Sequence, residues 1–265
     1  MMPIVHFFQS LSFNVCTIVL PFVLAFLIFI LPGVRKALGI EVEAETSEGA
    51  GEAFNAIALF FVFIAASSLI TVQGFQKDGQ KVTEAEISHI SNLDRELVRI
   101  GGEKMEAART QLKTYVAEIV GKEWKTMASG EESPEVDAAF GKLISIVHHM
   151  EGDGKISEKA LENIHAHIEK VSDSRDERIQ TSNLHLSFIY WDMIFAFIGI
   201  LLVISFFYTS KVAKRISLSG KMIALSFTLV LIMQTDGVFS GDIAIKPTLY
   251  IHAIEKMNVR TADTN

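Results

Sequence analysis

Arg175 and Arg178 stand three residues apart in a helical run, so their guanidinium groups share one helix face. Two readings are open for them. In one, they pair with acids of neighbouring helices or hold lipid head groups. In the other, repeated around an oligomer, they make a ring of positive charge that concentrates anions at an entrance. Ser67, Ser68 and Thr71 make a small, hydroxylated patch inside an apolar run. Such residues let membrane helices approach closely, which gives a packing seam; the alternative is that they line a water-filled path. Asp192 and Asp236 are acids at the edges of two further apolar runs. An acid beside a bilayer is a functional candidate by default, with a solvated or paired role as the alternative. Asp236 and Asp242 also bracket a glycine-containing turn, where a tight backbone conformation is the plainer account.

Reaction chemistry is not legible. His148 and His149 are adjacent, and His165 and His167 are two apart, whereas helical zinc sites need spacings near three or four. No nucleophile elbow, phosphate-cradling glycine loop or paired-cysteine motif occurs, and Cys16 is the single cysteine. An intramembrane hydrolase would need Ser67, His185 and Asp192 to meet, and no spacing brings them together. Glu151–Glu158 is similar to the middle of a calcium loop, but the register puts His149 and Ala160 at essential ligand positions. It reads instead as a turn ending in Ser157 as an N-cap. Net charge is −7 and the basic residues are scattered among more numerous acids, which excludes a nucleic-acid surface. The expectation is a protein that is not an enzyme and carries no cofactor or metal.

The elements that would position these residues follow from where the apolar residues cluster. With 49% hydrophobic and 21% charged residues, the two kinds must be segregated. Apolar runs lie at Leu11–Leu31, Phe54–Val72, Phe188–Phe207 and Met222–Gln234, the last extendable to Phe239, and are read as four membrane helices. The first has no basic residue before Arg35 and is too long for a signal h-region, so it is expected to remain as a membrane helix that ends at Pro32-Gly33. An acidic, solvated linker follows. From Phe75 the pattern is helical throughout: Ile87, Ile90, Leu93, Leu97 and Ile100 form one stripe, preceded by Thr83 and Glu86 as a capping box and ended by Gly101-Gly102. Met105 to Ile119 gives a second stripe running towards Trp124 and Met127, and Val136 to Met150 a third. The fourth, Leu161–Tyr208, passes from a charged amphipathic helix into an apolar span, roughly 70 Å of helix if unbroken. Tyr190, Trp191 and Tyr208 look like interfacial anchors of that span. Pro247–Met257 reads as a surface-lying helix.

The fold class expected is therefore all-α: an integral membrane protein with four transmembrane helices and a helical bundle inserted between the second and third. Its parts are residues 1–74, the first helix pair with its acidic linker; 75–184, the insert; 185–239, the second pair; and 240–265, a tail with a short amphipathic helix. Basic residues in the two short loops put those loops in the cytoplasm and the insert outside, although Lys77, Lys81, Lys170, Arg175 and Arg178 flank the membrane on the other side.

Glu84-Ala85, Tyr115, Glu123-Trp124, Arg175-Asp176-Glu177-Arg178-Ile179 and Phe239-Ser240-Gly241, in this order within a four-span chain, resemble the bestrophin-like domain family over roughly Asn55 to Met257. Val238 departs from the proline which that family tends to have before the phenylalanine. The resemblance implies a distant likeness to bestrophins, pentameric anion channels with a cytosolic helical domain. It thus implies a cytoplasmic insert, against the charge pattern, and a path lined by the second helix with Ser67, Ser68 and Thr71. The function expected is a homo-oligomeric ion channel or pore in the cell (inner) membrane, with the insert as vestibule or gate. Its partners would be the lipid bilayer, further copies of the chain and inorganic ions. The alternative is a membrane-anchored scaffold, sensor or accessory subunit that docks a protein partner through the insert.

Overall fold

The structure, a computed structural model, describes residues 12–150, 156–208 and 212–262. Among these there are helices and no strands. The helices are α1 (Phe13–Ala37), α2 (Ala44–Ile100), α3 (Glu103–Glu118), α4 (Pro134–His148), α5 (Glu158–Ser182), α6 (Phe188–Phe206), α7 (Val212–Thr235) and α8 (Thr248–Ala262). After α3 a π-helical turn, Ile119–Glu123, leads into Trp124–Thr126 and a 3₁₀ turn, Met127–Ser129. Of the calcium-like stretch, residues 151–155 lie outside the described residues; Ser157 caps α5 by accepting the Ala160 N–H.

The chain divides into two units, a membrane unit (Met1–Gly74, His185–Gly237, Gly241–Ile243) and a helical unit (Phe75–Leu184, Val238–Ser240, Ala244–Asn265). Among the described residues, four helices are long and apolar enough to cross a membrane: α1, α2, α6 and α7. In the membrane unit α1 and α7 run antiparallel, tied by Ser219 Oγ donating to the Ala25 carbonyl at 3.2 Å and by Asp242 accepting the Phe13 N–H at 2.8 Å. α6 buries Trp191, Ile194, Ile198, Leu201 and Ser205, one stripe at spacings of three and four.

The runs of apolar residues mislead at several boundaries. Pro32 does not end α1, which continues for another turn to Ala37; a proline carbonyl gap near a helix end is tolerated because its neighbours satisfy the freed group. The acidic linker is short, because Ala44–Ala53 is already helical and α2 runs unbroken for 57 residues, roughly 85 Å. Thr83 and Glu86 consequently lie inside a helix and do not cap one; the Thr83 hydroxyl donates to the Gly79 carbonyl at 2.7 Å.

The expected continuous helix over Leu161–Tyr208 is instead broken at Asn183–Ser187. Thr181, Ser182 and Asn183 turn their side chains onto the carbonyls of Glu177 and Ile179, a competition that weakens the helical ladder. The Leu186 N–H is then taken by the Asp236 carboxylate at 2.5 Å. Trp191 and Tyr208 are buried, so they are not the lipid-facing anchors expected. Likewise α8 is not a surface-lying helix, since Tyr250, Ala253 and Met257 are enclosed in the helical unit.

Gly101 and Gly102 terminate α2 at φ 70° and 96°, in the left-handed region where a side chain is strained. Gly79 serves differently: it is buried within α2, and a Cβ there would overlap Val238 and press on Ile245. Gly141, in α4, has open space around it. Gly79→Ala is expected to lower the unfolding free energy of the helical unit by about 1–3 kcal/mol, whereas Gly141→Ala should raise it by up to ~1 kcal/mol. Denaturant titration followed by circular dichroism in mild detergent measures both.

Candidate functional site

In the helical unit the residues singled out from sequence gather around one guanidinium. Arg178, on α5, is wholly enclosed. Its Nε donates to Glu86 Oε2 and its Nη2 to Glu123 Oε2, each at 2.6 Å. Arg175, one turn earlier, donates through Nε to Glu123 at 3.1 Å and through Nη1 to Asp137 at 2.6 Å. Tyr250 and Tyr115 donate their hydroxyls to the two oxygens of Glu86 at 2.6 Å and 3.2 Å. The rings of Trp124 and Tyr250 lie 5.7 Å and 5.6 Å from the guanidinium carbon, within cation–π range. Trp124 is held in turn by donating Nε1–H to the Ile245 carbonyl at 3.2 Å.

Each partner is aimed by its element. The π-helical turn Ile119–Glu123 takes one more residue per turn than an α-helix. It thereby puts Glu123 and Trp124 on the inner side together with Val116 and Ile119. Glu86 lies four residues before Ile90 on the buried stripe of α2.

Two guanidinium groups and two carboxylates enclosed together balance their charge. Burial alone would raise the Glu123 carboxyl, but its hydrogen bonds and Coulomb attraction to Arg175 and Arg178 outweigh burial and hold it below the usual range. Burial likewise opposes charge on Arg178, and Glu86, Tyr250 and Glu123 overcome it. Burial pushes Tyr115 and Tyr250 well above the usual phenol range, helped by Glu86, so both remain neutral donors. A second buried group, Asp94 with Arg109 at 2.8 Å, fastens α8: Arg109 donates to the Met257 carbonyl and Arg260 pairs with Asp94.

A guanidinium enclosed like that of Arg178 reaches neither an aqueous entrance nor a lipid head group. Arg175 is also buried. Tyr250 was given no role from sequence, and Glu86 only that of a capping-box acid. The signal for Glu86 was nonetheless present, since a carboxylate in phase with an apolar stripe must be paired.

The membrane unit holds the remaining candidates. Ser68 is fully enclosed and its hydroxyl donates to the Ile64 carbonyl at 2.9 Å; Thr71, half-buried, donates to the Ser67 carbonyl at 3.1 Å. Ser67 is half-buried. The face of α2 left uncovered is a different one, carrying Leu59, Phe63 and Ile70 at 70–75% exposure, with Ala66 and Gln73 in phase. Asp192 is exposed at the start of α6. Asp236 is buried and structural: it accepts the Leu186 N–H and the Trp191 indole N–H, while its own carbonyl accepts from His185 Nδ1 at 2.8 Å. His185 is therefore engaged at the end of α7, not with Ser67.

Arg178→Ala leaves two buried carboxylates without their cation and is expected to cost the helical unit about 3–5 kcal/mol, read as a lowered unfolding midpoint by circular dichroism. The pH dependence has a fixed sign. Because the Glu123 carboxyl is lowered in the folded protein, its stabilisation is present above the carboxyl's unfolded value and is lost as pH falls through the lowered folded value. The midpoint should drop in acid, and Glu123→Gln should flatten that part of the profile while starting lower.

A family model, the Bestrophin-like domain, matches residues 11–250. Solved structures share the fold. A bacterial bestrophin homologue from Klebsiella pneumoniae superposes with a TM-score of 0.62 at 12% identity, over 93% of this chain and 97% of that one. A point variant of that homologue gives 0.64 at 12% identity, over 95% and 100%. A point variant of a protein described only as a membrane protein gives 0.68 at 9% identity, over 91% and 98%. No curated protein matches the chain. The motifs that carried the resemblance in sequence are largely the ones assembled around Arg178, and with the match over most of its length the chain belongs to the Bestrophin-like domain family.

Proposed function

We propose that the chain forms a homo-oligomeric ring that passes inorganic ions across the membrane, each copy contributing α2 to the wall of the path and its helical unit to the vestibule. The observation that carries this reading is how little of α2 is covered. Only 22% of its membrane stretch is buried, against 28–44% in the other three spans. Among the described residues, the gap inside the membrane unit where Leu24, Phe61, Ile198 and Met222 meet is apolar and too narrow for water. A path must then be enclosed between copies, with the uncovered stripe of Leu59, Phe63, Ala66, Ile70 and Gln73 facing it. Ser67 and Thr71 flank this stripe; Ser68 turns away from it. The channel activity of bestrophins, whose bacterial homologue has this fold, supports the same reading.

Two measurements test it. The native mass in mild detergent should correspond to several copies of the chain, and a chain that stays monomeric under gentle extraction would sink the proposal and turn attention to partners of the helical unit. In liposomes, Ala66→Phe should cut ion flux roughly tenfold by narrowing the path with the native mass unchanged. Flux equal to that of the parent would remove α2 from the wall.

A further inference from the structure

The start of α6 is fastened by a single acid. Asp236, the residue after the last of α7, is 1% exposed, and both of its carboxylate oxygens accept hydrogen bonds. Oδ1 takes the Leu186 N–H at 2.5 Å and Oδ2 the Trp191 indole N–H at 3.1 Å. The Asp236 carbonyl accepts from His185 Nδ1 at 2.8 Å. All four residues belong to the membrane unit, and the chain passes between the two units immediately before His185 and immediately after Gly237. Ser187, the N-cap of α6, makes no side-chain cap bond, so the position of that helix start rests on the Asp236 carboxylate.

This carboxylate lies outside the spans, and its charge is set by opposed effects. Burial disfavours the anion, whereas the two N–H donors and a protonated His185 favour it; burial prevails and lifts the carboxyl to about 6. The titratable group acting on it is His185. Asp192, next to Trp191, is exposed, and Asp242 is turned to the Phe13 N–H at the start of α1. Because the folded value lies above the unfolded one, the stability this group contributes is present in acid and is lost as pH rises through the folded value, the opposite sign to Glu123. Uptake of a proton here therefore rearranges a contact and does not unfold the chain.

The rearrangement follows from the donor count. A carboxylate offers acceptors at both oxygens, but the acid form turns one of them into an O–H donor. Leu186 and Trp191 both present N–H groups, so the two bonds cannot both keep their charge-assisted strength. A buried N–H released in this way requires another acceptor. The helical period of the sequence runs through the break between α5 and α6, so a further turn of helix offers one. We propose that Asp236 is a proton-operated latch: as the anion it holds residues 185–187 and the start of α6 to the end of α7, and on taking up a proton it releases the Leu186 N–H and lets that segment move. The latch is independent of whether the protein conducts ions.

The full chain in mild detergent, with 5-fluorotryptophan at Trp124 and Trp191, reports the state of the latch by ¹⁹F NMR, the Trp191 resonance being assigned with Trp191→Phe. Between about pH 5 and pH 8 that resonance should move with a midpoint at about 6. Asp236→Asn should abolish the movement. His185→Gln should keep it and raise the midpoint, since a positive charge that favours the anion is gone. Hydrogen exchange of residues 185–190, corrected for the intrinsic effect of pH, should be roughly tenfold faster at the acid end, as expected for one charge-assisted hydrogen bond lost, and flat in Asp236→Asn. A Trp191 resonance that does not titrate, or that titrates equally in Asp236→Asn, would overturn the latch, as would exchange unchanged by pH. Loss of the titration in His185→Gln would give the proton to the imidazole instead. If Asp236→Asn fails to fold, the parent and His185→Gln decide the matter.

Discussion

Arg178 is a permanent cation with no access to water, and much of the helical unit is arranged to make that tolerable. The two carboxylates that neutralise it come from α2 and from the π-helical turn after α3, 92 and 55 residues away in sequence. The phenols that complete the Glu86 lone pairs come from α3 and α8. Buried pairs of this kind add little net stability compared with an apolar core of the same shape, because desolvation consumes most of the attraction. What they impose is direction. An apolar core tolerates sliding, whereas hydrogen bonds to a planar guanidinium fix which helix face meets which.

The membrane unit obeys a different constraint. No water reaches the hydrocarbon layer to satisfy polar groups, so hydroxyls and backbone ends there must find partners within protein. Ser68, Thr71, Ser205, Ser226 and Thr235 all donate to carbonyls three or four residues earlier in their own helices. A hydroxyl used in that way is effectively a small apolar residue, which favours close packing over a hydrated wall. Asp236 plays the corresponding part at the helix ends. Its carboxylate receives the N–H of Leu186, just before α6, so that one acid joins the end of α7 to the beginning of α6.

The all-helical class and the four spans could be read from the segregation of apolar from charged residues, because a bilayer demands long apolar runs and the helical period is visible between them. Helix ends were less legible. Hydrophobic periodicity ran straight through Asn183–Ser187, since the features that break the helix there are three local side-chain bonds and one long-range bond to Asp236. Conversely, the glycines and acids of Ala44–Ala53 suggested a loop but take helical form. The three-residue spacing of Arg175 and Arg178 left two readings open, of which pairing with acids is the arrangement seen around Glu123. Which acids, and that Tyr250 joins them, depends on tertiary contacts spanning up to 164 residues, and no spacing rule reports those. Periodicity also marked the hydroxyls of α2 without telling their phase relative to the uncovered stripe.

The sequence distance between Glu86 and Tyr250 sets an order of events during synthesis. At ribosomal rates of about 5–20 residues per second, some 8–30 s separate the emergence of the carboxylate from that of the phenol that bonds to it. Asp94 waits similarly for Arg260. Throughout that interval the chain must also thread α6 and α7 into the bilayer, while the carboxylates of Glu86 and Asp94 still lack these last partners. The helical unit thus cannot close as an autonomous cytosolic or extracellular domain would on leaving the ribosome. Its completion waits on the synthesis of a membrane segment that forms no part of it.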